Sequence, residues 1–227
     1  SIVHYLMGNK GWTFDESEGT ISDTNGKSKY LYEVYLKSST DYSGRVTVPI
    51  LWDKETNQIV SNESSEIIRM FNSGFNEVGA IEGDYYPIEL REKIDCLNEK
   101  IYEAVNNGVY KAGFATSQKA YEEAVIPLFK TLDELENMLD GSRFLVSNQI
   151  TEADWRLFTT LIRFDPVYFG HFKCNIKRIA DYKNLSRYVK ELYEMPGVKE
   201  TVNLDHIKKH YYMSHETINP SRVVPLG

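Results

Sequence analysis

Hydrophobic residues along this chain follow two different rhythms, one on each side of a glycine-bearing stretch at 73–86. In the first half, short β-branched and aromatic runs alternate with turn signals. Residues 1–7, with Ile2, Val3, Tyr5 and Leu6, read as a strand. Residues 8–27 carry Gly8, Gly11, Gly19 and Gly26 and predict a long loop. Tyr30, Leu31, Val34 and Tyr35 recur at helical spacing and predict a short helix over 28–37. Val46 to Trp52 reads as a second strand. After a turn at 53–57, residues 58–60 return to make a hairpin. Ser61 and Asn62 are good N-caps for a helix bearing Ile67, Ile68 and Phe71.

Beyond the glycines at 74, 79 and 83 the period becomes helical throughout. Pro87 suits a first helical turn, and Ile94, Leu97, Ile101 and Val105 mark an apolar stripe ending at Asn106–Gly108. Tyr121, Val125, Leu128, Leu132 and Leu135 share one face of a long helix from Ser117 to Leu139, which Pro127 is expected to kink. Thr151-Glu152-Ala153-Asp154 forms a capping box with Asp in place of Glu, and Ile150 and Trp155 can staple it. That helix is expected to break at Asp165-Pro166. Helices at 182–194 and 203–211 and an irregular tail from Ile218 complete the pattern. The expected architecture is an α/β portion at 1–74 followed by an all-helical portion at 86–227.

Composition narrows the function classes. The 227 residues are 41% hydrophobic and 26% charged, ordinary for a globular protein. A net charge of −7 argues against a nucleic-acid partner, which needs a basic face. No apolar run approaches the ~20 residues that span a bilayer. Two cysteines, Cys96 and Cys174, make no disulfide framework, and a cytoplasmic setting is expected. The chain opens directly on a strand pattern, without an initiator Met, so a truncated chain is expected.

Two places carry candidate chemistry. Val48-Pro49 enters a strand with a residue that lacks an N–H, which makes the bond a candidate cis-proline. Such a bend presents Val48 backbone groups to a peptide ligand as an added strand would; an ordinary strand-entry proline is the alternative. Glu63-Ser64 opens a helix, where backbone N–H groups accept a carboxylate and Glu63 accepts an ammonium. That pair suits a γ-glutamyl group, and simple capping is the alternative. His206 and His210 share a helix face but lack the Glu of a zinc-protease motif, and a surface pair is expected, with no metal.

Longer motifs sharpen the picture. They are Gly11-Trp12-Thr13-Phe14-Asp15; Tyr42-Ser43-Gly44-Arg45-Val46-Thr47-Val48-Pro49-Ile50-Leu51-Trp52-Asp53; Val60 to Asn72; Asn106 to Ala115; and Arg163-Phe164-Asp165-Pro166-Val167-Tyr168. Together they resemble the glutathionyl-hydroquinone reductases, the Xi class of glutathione transferases, over nearly the whole chain. The resemblance implies a thioredoxin-like domain joined to a helical bundle, glutathione as substrate, quinone or hydroquinone conjugates as partners, and a homodimer. It matches Trp12, Arg45, Val46, Thr47, Val48, Glu63 and Ser64 to glutathione binding. It matches Tyr110 to a proton donor or acceptor, and Tyr168 and Tyr211 to tyrosines that line the quinone site and help lower the cysteine pKa.

One departure accompanies it. The family attacks with a cysteine in a Cys-Pro-Trp-Ala motif at the start of a helix, where the thiol pKa is lowered. That motif would precede residue 1, and neither Cys96 nor Cys174 stands in such a setting. In this fold the corresponding strand lies between the strand at 1–7 and the one at 46–52. Its loss leaves backbone groups unpaired at about 1–3 kcal/mol each, so upstream polypeptide or another chain is expected to fill the gap. Two rival readings remain at this point: a non-catalytic glutathione- or ligand-binding module, and a transferase-like domain used for protein association.

Overall fold

The computed structural model describes residues 1–81 and 83–227. It divides into two compact units, Ser1–Asp84 and Tyr85–Gly227.

The first unit is built around Phe14, Leu31 and Tyr35, with Val3, Trp12, Val34, Tyr42, Val46, Ile50 and Ile59 packed against them. Helix α1 (Leu31–Ser38) supplies Leu31 and Tyr35, one turn apart on its buried face. Strands β1 (Leu51–Asp53) and β2 (Gln58–Ser61) pair antiparallel in the register Trp52 to Ile59 and Asp53 to Gln58. The Asp53 carboxylate accepts the Glu55 N–H at 2.8 Å and so closes the hairpin turn. Helix α2 (Ser64–Ser73) follows.

Two sequence expectations are corrected here. Residues 1–7 do not form a strand. Ile2 makes a single antiparallel bridge to Ile21, and the His4 N–H goes to the Thr13 carbonyl at 2.8 Å. The Leu6 N–H is captured by His4 Nδ1 at 3.0 Å, which removes it from any ladder. Gly8 and Gly11 then bridge each other, with Gly11 at φ +80°, and turn the chain back on itself. The second strand is also shorter than the run from Val46. Pro49 has no N–H, and the Tyr35 hydroxyl takes both backbone groups of Thr47, donating to its carbonyl at 2.8 Å and accepting its N–H at 3.2 Å. Only Leu51–Asp53 is left to pair.

The second unit is a helical bundle of α3 (Arg91–Ile101), α4 (Gly108–Gly113), α5 (Gln118–Met138), α6 (Glu152–Arg163), α7 (Lys183–Tyr193) and α8 (Leu204–Ser214). Ile94, Ile101, Leu128, Leu132, Leu157, Leu185 and Leu192 fill its core. Ser117 caps α5 by accepting the Ala120 N–H at 3.2 Å, and Asn203 caps α8 through the His206 N–H at 2.9 Å. The chain does not break at Asp165-Pro166. Instead α6 widens into a π turn at Phe164–Tyr168, closed by the Phe169 N–H on the Phe164 carbonyl at 2.8 Å. A proline ring clashes with the carbonyl one turn back, and a wider turn relieves that contact without ending the helix. A second π turn, Tyr102–Asn106, joins α3 to α4.

The capping box at Thr151 forms with Asp154 as its reciprocal partner. Asp154 is fully buried and its carboxylate accepts four hydrogen bonds: from the Thr151 N–H at 2.7 Å, the Thr151 hydroxyl at 2.9 Å, the Leu145 N–H at 3.0 Å and the Tyr188 hydroxyl at 2.9 Å. One side chain therefore ties the 144–151 loop and α7 to the start of α6. Replacing it strands buried donors that each cost about 1–3 kcal/mol. Asp154→Ala is expected to destabilise the protein by on the order of 3 kcal/mol in chemical denaturation; a loss below ~1 kcal/mol would show that the donors find other partners.

Candidate functional site

The residues singled out from the sequence fall into two groups, one in each unit.

In the first unit, Val48 and Pro49 are joined by a cis peptide bond. Val48 is exposed, and neither its N–H nor its carbonyl bonds to another group among the described residues. Thr47 lies beneath it, held by Tyr35 and by Asn62 Nδ2 at 3.3 Å from its hydroxyl. Val46 packs on the small core, as does Trp12, whose carbonyl accepts the Leu31 N–H at 3.0 Å. Arg45 is exposed, its carbonyl held by the Tyr42 hydroxyl at 2.7 Å. Glu63 is the N-cap of α2, and Ser64 is its first residue, both exposed. The Ser61 hydroxyl accepts the Glu63 N–H at 3.0 Å and donates to Glu66 at 2.7 Å, so Ser61 does the local capping and leaves the Glu63 carboxylate outward. The Glu63 side chain makes no cap hydrogen bond. A cavity of about 440 Å³ adjoins Val48 and Pro49 and is lined by Ile2, Phe14, Leu31 and Trp52. The Trp52 indole N–H is buried there without an acceptor among the described residues.

In the second unit, Tyr110 on α4, Tyr168 in the π turn and Tyr211 on α8 meet at their hydroxyls, although 101 residues separate the first from the last. Tyr211 Oη hydrogen-bonds to Tyr110 Oη and lies 2.9 Å from Tyr168 Oη. Tyr168 is 2% exposed and Tyr211 6%, whereas Tyr110 is 38% exposed. Burial, with the neighbouring phenols, pushes the Tyr168 and Tyr211 hydroxyls above the ordinary tyrosine range. Both therefore remain protonated at neutral pH. Three hydroxyls with two contacts leave one O–H free to donate, and Tyr110 is the member that reaches solvent. A chain donating from Tyr168 to Tyr211 to Tyr110 would polarise that outer O–H, each bond strengthening the next.

Sequence reasoning found the three phenols but not what aligns them. Phe172 is fully buried at their centre, stacked on Tyr168 (centroids 5.5 Å apart, planes at 12°) and edge-on to Tyr110 at 5.3 Å and Tyr211 at 5.7 Å. Its place is made by Gly113: a Cβ there would lie 2.2 Å from Phe172 Cδ1. Glycine two residues before the end of an aromatic-rich motif was the available signal. Behind Phe172, His171 Nε2 and His215 Nδ1 are 3.1 Å apart.

The cysteines lie elsewhere. Cys174 is buried, and burial pushes its thiol up to about 12, far from a thiolate at neutral pH. Cys96 is exposed on α3. Among the described residues no group of three or more His, Cys, Asp or Glu is arranged to hold a metal ion, and no helix is long and apolar enough to cross a membrane.

An N-terminal unit with a cis-proline beside a helix start, followed by a helical bundle with a capped α6, is the arrangement of a glutathione transferase. Comparison with known proteins agrees. Residues 118–191 match the family model of the glutathione S-transferase C-terminal domain. The chain is 58% identical over 228 residues to the glutathionyl-hydroquinone reductase YqjG of Escherichia coli K12, covering all of this chain and 70% of that protein. It is 55% identical over 227 residues to the glutathionyl-hydroquinone reductase PcpF of Sphingobium chlorophenolicum, covering all of this chain and 72% of that protein. The glutathione-bound structure of Escherichia coli YqjG superposes with a TM-score of 0.99 at 57% identity, covering all of this chain and 74% of that one. The Xi glutathione transferase of Phanerochaete chrysosporium superposes at 0.97 with 53% identity, covering all of this chain and 79% of that one. The chain belongs to the glutathionyl-hydroquinone reductases, the Xi class of glutathione transferases.

The Gly113 contact yields a direct test. Gly113→Ala forces Phe172 out of a fully packed site, and overpacking of this kind costs about 1–3 kcal/mol. Denaturation together with near-ultraviolet circular dichroism should show the loss and a changed tyrosine signal. An unchanged near-ultraviolet spectrum would mean that Phe172 does not hold the tyrosines.

Proposed function

We propose that this protein binds glutathione on its first unit and removes glutathione from glutathionyl-hydroquinones, with the tyrosine cluster receiving the aromatic ring. The observation that carries the reading is the hydroxyl chain Tyr168–Tyr211–Tyr110, open to solvent at Tyr110, in a chain of this family.

Each group has a task that its surroundings support. The open Val48 N–H and carbonyl pair with the peptide backbone of glutathione, as an added strand pairs with a sheet edge. The exposed Arg45 guanidinium takes a carboxylate, and the Glu63 carboxylate takes the γ-glutamyl ammonium. The first N–H groups of α2, from Ser64 onward, face the γ-glutamyl carboxylate. Trp12 packs on the peptide, and Val46 and Thr47 hold the cis bend in place.

A cysteine thiolate attacks the sulfur of the glutathionyl-hydroquinone, forming an S–S bond as the sulfur–aryl bond breaks. The electron pair stays on the ring carbon, which takes a proton with help from Tyr110. A second glutathione attacks the mixed disulfide and leaves as glutathione disulfide, restoring the thiol. The family resemblance assigns the thiolate to a segment before residue 1. The same segment is proposed to fill the cavity beside Trp52 and to accept its indole N–H. A homodimer and a cytoplasmic location belong to this proposal.

Two measurements test it. Titration calorimetry with glutathione should detect binding that Arg45→Ala weakens by roughly tenfold, the loss of one charged hydrogen bond of about 1.5–3 kcal/mol. Equal binding by both proteins would remove Arg45 from the site. In a form of the protein that carries the cysteine motif, Tyr110→Phe should lower turnover of glutathionyl-menadione by about 10²-fold, the low end for a lost general acid. Turnover equal to wild type would end the proton role of Tyr110, and no turnover by the wild type would leave a binding module only.

A further inference from the structure

We propose that His171 and His215 form a positioning clasp, a neutral N–H···N bond that fixes the end of α8 against the Tyr168–Phe172 segment and so sets Tyr211 between its two phenol partners. It rests on reading the tyrosine cluster as the ring site.

Geometry makes the case. His171 lies three residues beyond the π turn, its N–H on the Val167 carbonyl at 2.8 Å, and is 4% exposed. His215 is the C-cap of α8, four residues beyond Tyr211. The two rings are nearly parallel, 25° apart with centroids at 5.3 Å, and their nitrogens meet at 3.1 Å. One imidazole donates and the other accepts. Each ring also packs on the cluster: His215 stacks on Phe172 (5.8 Å, 17°), and His171 packs on Phe172 at 5.2 Å and meets Tyr211 edge-on at 6.5 Å. The clasp is thus the polar tie behind Phe172, bridging the two elements that deliver Tyr168 and Tyr211. Neither imidazole hydrogen-bonds to the hydroxyl of Tyr110, Tyr168 or Tyr211, so the pair acts through position.

Such a bond needs at least one neutral ring. The groups facing the pair all favour neutrality. His215 meets Phe114 of α4 at 5.1 Å, and His171 meets Tyr212 of α8 at 4.7 Å. Tyr110 of α4 packs edge-on to Phe172, Arg163 of α6 acts on Tyr168 and Tyr211, and His210 and Lys173 are the basic groups that act on the histidines. Burial first, then Lys173 and His210, pushes His171 down to about 4; burial, His210 and His171 do the same to His215. Both lie below the ordinary histidine value of about 6.5. The native clasp is therefore intact above about pH 4; a single added proton leaves an N–H⁺···N bond, and the clasp opens only at lower pH, once both rings are charged. The unfolded chain takes up these protons near pH ~6.5, so stability falls between 6.5 and about 4.

Three proteins decide it: the wild type, His215→Ala, and His215→Asn, whose amide keeps a neutral partner at the Nδ1 position and can also turn its oxygen to a protonated His171. Tyrosine ionisation is followed by ultraviolet difference absorption, and the packing of the cluster by near-ultraviolet circular dichroism. In His215→Ala the buried tyrosines should ionise at least about one pH unit lower than in the wild type, beyond the ordinary spread for folded tyrosines. In His215→Asn they should ionise as in the wild type, and the near-ultraviolet signal should survive below the pH at which the wild type loses it. An unmoved titration in His215→Ala, or equal shifts in both variants, overturns the clasp. If His215→Ala does not fold, His215→Asn losing its signal at the wild-type pH overturns it. None of these readings needs turnover. Menadiol added to the wild type, with no change in tyrosine absorption, would overturn the ring-site reading separately.

Discussion

A benzyl ring lodged against a bare helix backbone is the contact on which the second unit's tyrosine cluster depends. Phe172 is fully buried, and only the missing side chain of Gly113 makes room for it. Rings of Tyr110, Tyr168 and Tyr211 each lean on that one phenyl, at centroid distances of 5.3 to 5.7 Å. Side chains in cores of this density have little freedom to drift. Oxygens drawn from three separate elements can then meet within hydrogen-bond reach, a geometry that three independent surface tyrosines would not hold against their rotamer entropy.

The helical half was legible because its signals are local. Ser117, Thr151 and Asn203 mark helix starts whose caps appear in the structure, and the Leu157, Leu161 stripe needs only a period of 3.6 to be read. The cis Val48–Pro49 bond could be flagged as a candidate from one proline at a strand entry, but its isomer is chosen by the surrounding fold. What misled was pairing at a distance. The run at 1–7 has strand composition, yet a strand exists only where a neighbour offers a ladder, and His4 claims the Leu6 N–H first. Asp165-Pro166 was read as a stop because proline forbids an ordinary turn; a wider one was the alternative that composition does not announce.

The tyrosines show the limit more sharply. With 16 in the chain, no spacing rule selects Tyr110, Tyr168 and Tyr211, and only family motifs did so. Their partners Gly113, Phe172, His171 and His215 had no chemistry to advertise on their own. They matter through the company that packing puts them in. A buried carboxylate was easier to see: Asp154 sits in a capping signature, and the structure adds Leu145 and Tyr188 to the donors that signature implies.

The two π turns, Tyr102–Asn106 and Phe164–Tyr168, each place one surplus residue in a helical run. A helix advances about 100° per residue, so a surplus residue rotates everything after it by nearly a third of a circle. Tyr110 lies downstream of the first turn, and Tyr168 closes the second. Both phenols thus owe their bearing to an insertion in the helical count. A deletion of a single residue in either turn would keep the helix and the composition but swing the phenol to another face. Sequence variation across this family should therefore tolerate substitution within these turns far better than any change in their length.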